Sequence, residues 1–294
     1  MDGFVYGGMN RITEKKDDVT SKGINVSVVL NRLGIGSLCT GFMYEQNGGM
    51  ALEVLDEEGI PHDYVWQPGS IRINTKVLDT KTSIITEIND KGVPAGEEYI
   101  TALKEKVLSH ARAGDTIVTI GSMPPGCPLT LFAELIAEAG KKGIRCVLDA
   151  EGEILKKGVA AHPFFVKINR FELETLTGKS IKSDAEIVTE CEKIIDSGVK
   201  LIAVSLGAEG AVISDGKKAF KAEAMRIKPK SPTGAGDSML AGILAASIKN
   251  CPLDELLKNG ASAATATVLC EGTELMTREL FDSILNDVVI HKLR

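Results

Sequence analysis

The octapeptide Ser231-Pro-Thr-Gly-Ala-Gly-Asp-Ser238 runs straight into an apolar stretch from Met239 onward, where a helix is expected to begin. Gly234 and Gly236 let the backbone approach a ligand closely, and the free N–H groups of a helix start attract an anion. Asp237 then sits at the mouth of that anion site. A carboxylate there could accept the proton of an attacking hydroxyl while the N–H groups steady a transferring phosphoryl group. Aspartate also caps helices with no chemistry attached, so this peptide alone leaves both readings open.

Other polar clusters fall at the carboxyl ends of predicted strands. They are Gly121-Ser122-Met-Pro-Pro-Gly126, Asp149 with Gly152, Lys167-Ile-Asn169-Arg-Phe-Glu172, and Ser205-Leu-Gly207-Ala-Glu209-Gly210. Open α/β sheets bind ligands along that edge. Each cluster alone could be a turn or a cap, but their shared position beside the Gly-Ala-Gly-Asp loop favours a site. Asn169 and Glu172, at i and i+3 of a helix start, could hold a magnesium-bound water network on ATP. Nearer the N-terminus, Lys22-Gly-Ile-Asn-Val-Ser27 leads into another helix. Lys22 could meet a substrate phosphate as a point charge with Asn25 on a hydroxyl, or it could be an ordinary solvated lysine. Arg72, with its planar fork, suits phosphate better still.

Two motifs are decoys. Thr177-Gly-Lys-Ser180 imitates the end of a phosphate-binding P-loop, but that motif needs a glycine where this chain has Leu173. Gly34-Ile-Gly36 starts like a dinucleotide fingerprint, yet Cys39 takes the third glycine's place and the run precedes a predicted strand.

The elements that must position these residues follow from apolar periodicity. Val26, Val29, Leu30 and Leu33 keep helical spacing, and Gly34 stands where that helix should stop. Strands are predicted over 37–40, 116–120, 145–148, 164–166 and 201–205, and helices over 49–58, 129–142, 170–177 and 185–197. This alternation implies a mostly parallel sheet with helices on both faces, and the last 60 residues read as almost entirely helical. In 71–77, Arg72, Asn74 and Lys76 alternate with apolar residues, and a second alternating run covers 82–89. Period two puts those polar side chains on one face of an antiparallel flap. One domain over 1–294 is expected, with a β lid from about 3–20 and 62–90.

Bulk properties narrow the partners. A net charge of −6 in 294 residues disfavours nucleic acid and anionic membranes, so cations for an anionic substrate must be local. The apolar runs are too short for a membrane span, and 1–16 lacks a signal-peptide pattern. The 6 cysteines form no CxxC pair, which fits reduced thiols in a cytoplasmic protein.

From Asn10-Arg11 to about Glu274 the chain resembles the phosphofructokinase B branch of the ribokinase-like carbohydrate kinases. The resemblance rests on Lys22-Gly-Ile-Asn-Val, Arg72-Ile-Asn-Thr-Lys-Val, Gly121-Ser-Met-Pro-Pro-Gly, Lys167-Ile-Asn with Glu172-Leu, Ser205-Leu-Gly-Ala-Glu-Gly-Ala and Gly234-Ala-Gly-Asp-Ser. The blocks around Lys22 and Arg72 are similar to those of 1-phosphofructokinase and tagatose-6-phosphate kinase rather than ribokinase. The resemblance implies a three-layer ribokinase-like fold and an ATP- and Mg²⁺-dependent kinase of a phosphorylated ketohexose. Fructose 1-phosphate is favoured, then tagatose 6-phosphate or fructose 6-phosphate. It implies Asp237 as general base with Gly234, Ala235 and Gly236 as the anion hole. Lys22, Asn25, Arg72, Ser122 and Asp2 would then bind the sugar. Lys167, Asn169, Ser205, Gly207, Glu209, Gly210 and Thr233 would bind the nucleotide, with Glu172 on the metal through water. It also implies a lid that closes over the sugar, and a homodimer paired through two lids.

Departures cluster on the sugar side. Members of the family begin with a strand ending in an Asn-Pro-Ala-x-Asp-like motif, so Asp2 is expected to be its remnant. The usual Gly-Gly before Lys22 is Thr20-Ser21, Asp149-Ala-Glu-Gly replaces Asp-x-Ser-Gly, and Ile168 stands for a proline. A catalytically weak sugar-phosphate or nucleotide binder, and a kinase of an unphosphorylated sugar, are the alternatives.

Overall fold

A computed structural model describes residues 2–294. In chain order its elements are α1 (Lys22–Arg32), β1 (Phe42–Tyr44), α2 (Gly49–Glu57), β2 (Val65–Gln67), β3 (Asn74–Asp79), β4 (Ile84–Asn89), α3 (Glu97–His110) and β5 (Thr116–Ile120). There follow α4 (Leu131–Lys141), β6 (Arg145–Asp149), α5 (Gly152–Ala160), β7 (Phe165–Asn169), α6 (Arg170–Thr177), α7 (Asp184–Asp196) and β8 (Leu201–Ser205). The chain ends with β9 (Ala211–Ser214), β10 (Ala219–Ala222), α8 (Ala235–Ile248), α9 (Leu253–Val268), α10 (Arg278–Leu285) and β11 (Ile290–Lys292).

The central sheet has 7 strands in the order β11-β10-β9-β8-β7-β6-β5. β5 to β8 pair in parallel, while β9, β10 and β11 add antiparallel pairings at the far side. Strand alternation divides the core between two faces. Val147, Phe165, Leu201 and Ala203 pack with the apolar sides of α1, α8, α9 and α10. Cys146, Leu148, Val166, Ile168, Ile202 and Val204 pack under α4, α5, α6 and α7. Helix α8 is apolar all round because it lies between the sheet and its neighbours, and its residues from Asp237 to Ala246 are buried. Ser238 and Thr267 tie it to α9 through a buried hydroxyl pair at 2.7 Å.

Three expectations need correction. The strand expected over 37–40 is only an isolated bridge, Cys39 with His62, and the pairing falls instead on β1, where Met43 and Tyr44 are buried. The end of the chain is not wholly helical, since β11 pairs with β10. The first flap strand begins at Asn74 rather than residue 71, because the Ile71 amide is held by Asn47 Oδ1 at 2.6 Å.

The hairpin β3–β4 stands apart from the central sheet as a sheet of 2 strands. Its register puts Lys76 opposite Glu87, joined by an ion pair of 3.3 Å, and Asn74 opposite Asn89, which gives the expected polar face. Residues 3–20 form no strand. Their link to the hairpin is the pair of amides of Gly3 and Phe4, which donate to the Asp79 carboxylate at 2.9 and 3.2 Å.

Candidate active site

Because β5 to β8 are parallel, their carboxyl ends share one edge, and Ile120 lies opposite Asp149 as Asn169 lies opposite Ser205. Gly121, at φ 97°, turns the chain off β5 with its amide on Asp149 O at 3.2 Å. Two helix starts face this edge. Ser21 caps α1 through the Ile24 amide at 3.2 Å, which sets Lys22 and Asn25 in the first turn. Gly234, at φ 78°, starts α8 and brings Asp237 into its first turn.

The Gly-Ala-Gly loop owes its composition to contact. A Cβ on Gly234 would lie 2.7 Å from Leu275 Cδ2, and one on Gly236 would lie 2.9 Å from Lys167 Nζ. No side chain caps α8. In its first turn Ala235 N reaches Pro232 O at 3.4 Å and Ser238 N reaches Gly234 O at 2.9 Å, while the Gly236 and Asp237 amides between them have no backbone partner among the described residues. Its amide dipoles therefore concentrate positive potential beside Asp237.

Asp237 is 8% exposed and accepts a hydrogen bond from Asn25 Nδ2 at 2.7 Å on Oδ2. Burial pushes its carboxyl up to about 6, against the pull of the Asn25 hydrogen bond. The charge of Asp149 raises it further, and Lys167 and Lys22 lower it. Asp149, 1% exposed, lies between the two lysines: Lys22 Nζ donates to Oδ1 at 2.9 Å and Lys167 Nζ to Oδ2 at 2.7 Å. Burial would depress the Lys22 ammonium, but the charge and hydrogen bond of Asp149 carry its pKa above the ordinary value. Lys22 therefore stays charged while tethered at the sheet edge.

On the other side of Asp149, Asn169 and Glu172 form a capping box at the start of α6. Asn169 Oδ1 accepts from the Glu172 amide at 2.8 Å, and Glu172 Oε2 accepts from the Asn169 amide at 2.7 Å. Burial raises the Glu172 pKa against the hydrogen bond from Asn169. These are the two residues expected to face the metal, and the cap accounts for their spacing.

The structure brings Lys22, Asn25, Lys167, Asp237 and the Gly234–Gly236 backbone into one cluster through Asp149. It places other expected residues differently. Glu209 receives both Nη groups of Arg170 at 2.8 Å, so its carboxylate is already bidentately paired. Ser205 points back to Ile168 O at 3.4 Å, while Gly207, at φ 59°, opens a tight turn that Gly210 closes. A Cβ on Gly210 would come within 1.9 Å of Ala222 O, and its φ is 95°, so packing and backbone conformation both require that glycine. Thr233 hydrogen-bonds through its amide to Ser231 Oγ at 3.2 Å, and Ser122 is exposed in the loop after β5. Arg72 is exposed before β3 and makes no ion pair among the described residues. Asp2 pairs with Lys81 at 3.7 Å, at the hairpin's turn, and no hydrogen bond ties it to Asp237. The residue to which sequence reasoning gave no role is Asp149. Its position at the end of a parallel strand was the available signal.

A model of the pfkB family of carbohydrate kinases matches residues 21–279. The chain belongs to that family. Its relatives include the 1-phosphofructokinase of Bacillus subtilis, 34% identical over 99% of this chain and 94% of that one. The tagatose-6-phosphate kinase of Staphylococcus epidermidis is 27% identical, over 99% of this chain and 94% of that one. Among solved structures, the tetrameric inhibited form of phosphofructokinase-2 from Escherichia coli superposes with a TM-score of 0.89 at 27% identity, covering 97% of this chain and 93% of that one. This kinase is therefore a phosphotransferase of the ribokinase-like fold that uses ATP with Mg²⁺.

The residues present fit such an ion. Among the described residues no three His, Cys, Asp or Glu side chains gather into a metal cage. Mg²⁺ needs none, because it keeps several waters and binds through one or two carboxylates plus nucleotide phosphates. Glu172, half-buried at the sheet edge with its carboxylate fixed by the Asn169 amide, is suited to orient such waters. When bound with ATP, the ion neutralises charge on the phosphate oxygens.

Proposed function

We propose that this kinase transfers the γ-phosphoryl group of ATP to a hydroxyl of a phosphorylated ketohexose, with fructose 1-phosphate as the preferred acceptor. Asp237 takes the proton of the attacking hydroxyl. The observation that carries this reading is the Asp237 carboxylate itself, buried in the uncapped first turn of α8 and held by Asn25 at 2.7 Å. A base that titrates near 6 is largely ionised at neutral pH and still accepts a proton readily in the transition state. The Gly234–Gly236 amides hold the transferring group, and the charge of Lys22, which serves the sugar phosphate, is secured by Asp149. Asn169, Lys167 and Glu172 serve the ATP side, with the turn from Ser205 to Gly210 and Thr233 under the nucleotide.

The acceptor class rests on cations and on likeness. Lys22 and Arg72 would bind the phosphate already on the sugar, with Asn25 and Ser122 on its hydroxyls. The relatives named above include a 1-phosphofructokinase and a tagatose-6-phosphate kinase. The hairpin β3–β4 would close over the sugar and exclude water, which otherwise competes for the phosphoryl group. Ile84 and Ile88 are 61% and 58% exposed on it, and a second copy of this chain is the proposed cover, giving a dimer through paired lids. The reaction belongs to the cytoplasm, where ATP and sugar phosphates meet.

An ADP-release assay with fructose 1-phosphate, tagatose 6-phosphate, fructose 6-phosphate and fructose tests this directly. Fructose 1-phosphate is expected to give the highest kcat/KM, and Asp237→Asn to lower kcat by at least about 10²-fold, the low end for a lost general base. Turnover by Asp237→Asn equal to that of the parent would overturn the mechanism. A preference for unphosphorylated fructose would overturn the acceptor.

A further inference from the structure

The peptide Thr20-Ser21 puts side chains just before α1, and one of them reaches toward the base. Thr20 Oγ1 lies 3.0 Å from Asn25 Oδ1, and Asn25 Nδ2 lies 2.7 Å from Asp237 Oδ2. The chemistry fixes the polarity of this chain of contacts. An ionised carboxylate only accepts, so Asn25 must turn its NH₂ toward Asp237 and its carbonyl oxygen toward Thr20. The Thr20 hydroxyl must then donate. A flip of the Asn25 amide would present an oxygen to the carboxylate, repelling its charged form and favouring its protonated one. Asn25 is 6% exposed, so little solvent reaches it to select the orientation.

We propose that Thr20 is a positioning residue for phosphoryl transfer, its hydroxyl locking the Asn25 amide in the one orientation that donates to Asp237. The inference rests on Asp237 being the base. Around Asp237 the other charged groups are Lys22 of α1, Asp149 at the end of β6 and Lys167 of β7, and none of them touches Thr20. Thr20 itself is exposed, so a small side chain there would admit a water in place of the hydroxyl. Valine keeps the shape, excludes that water and removes the donor. Serine keeps the donor.

The test is a titration of carboxyl ¹³C signals in aspartate-labelled protein without substrates, the Asp237 signal being identified by its loss in Asp237→Asn. Thr20→Val is expected to raise the Asp237 midpoint by about half a pH unit, the size of part of one hydrogen bond. Thr20→Ser should keep the parent midpoint. The acid limb of kcat/KM should move with the midpoint, so Thr20→Val loses more activity at pH 6 than at pH 8. A midpoint and acid limb in Thr20→Val that match the parent, or a lowered midpoint, would overturn the role of Thr20 while an inactive Asp237→Asn left the base in place. Retained turnover in Asp237→Asn would instead remove the base, and this inference with it.

Discussion

Replacing Asp237 with asparagine should stabilise the folded protein at the pH where it abolishes the reaction. Burial lifts the Asp237 carboxyl from an ordinary 3.8 to about 6 in the folded state. The folded chain therefore binds a proton at this site more tightly than the unfolded chain does. Between those two values the native state holds more protons, so stability falls as pH rises, and the full cost is present above about pH 6. Two pH units at about 1.4 kcal/mol each make the ionised carboxylate cost about 3 kcal/mol. Little discount for solvent applies, since the residue is 8% exposed. Asparagine has nearly the shape of the neutral acid, accepts the same bond from Asn25 and carries no charge to desolvate. Urea unfolding should therefore show the variant more stable by about 3 kcal/mol at pH 8 and by only about 1 kcal/mol at pH 4.5. A variant no more stable than the parent at pH 8 would refute the reasoning, as would a gain that stays the same at pH 4.5.

Removing the carboxylate that binds both lysines should do the opposite. Asp149→Asn leaves Lys167, 6% exposed, without its buried partner, and a loss of about 3 kcal/mol in urea unfolding is expected. Saturating ATP should recover part of that loss, because phosphate oxygens can take up the released lysines, and an unchanged urea midpoint would show that the triad carries no weight. Gly210→Ala puts a Cβ 1.9 Å from Ala222 O at a φ of 95°, so the turn from Ser205 to Gly210 must move. A destabilisation of at least about 2 kcal/mol with a raised KM for ATP is expected, and parent-like unfolding and KM would contradict that turn geometry.

The fold was largely legible because the positions that matter are periodic. Continuous apolar runs marked β5, β6, β7 and β8, and helical spacing marked α6 and α7, whose capping boxes at Asn169 and Ser183 the structure adds. What escaped was short or displaced. β9, β10 and β11 have 4, 4 and 3 residues, too few for a period to show, and the pairing expected over 37–40 moved to β1. The site was legible where one residue type had few other uses, as in the Gly-Ala-Gly-Asp loop. It was illegible where a role depends on what lies across space. Glu209 reads as a nucleotide contact until Arg170 is seen to occupy both its oxygens. Asp149 reads as the end of a strand until two lysines, 127 and 18 residues away in sequence, converge on it.

Asp237 beside this cluster is deeply buried and still keeps its charge at neutral pH. A carboxylate with burial alone would drift far above the working pH and lose its charge. Here burial sets the rise and the hydrogen bond from Asn25 is the strongest pull against it, with Lys167 and Lys22 lowering the value further through space and Asp149 raising it. The balance is a difference of opposing terms, so a single hydrogen bond can move it. Asn25 supplies that bond, and the hydroxyl of Thr20 decides which end of Asn25 Asp237 meets. That choice does not wait for water or a sugar hydroxyl. In this chain a side chain makes it before any substrate arrives.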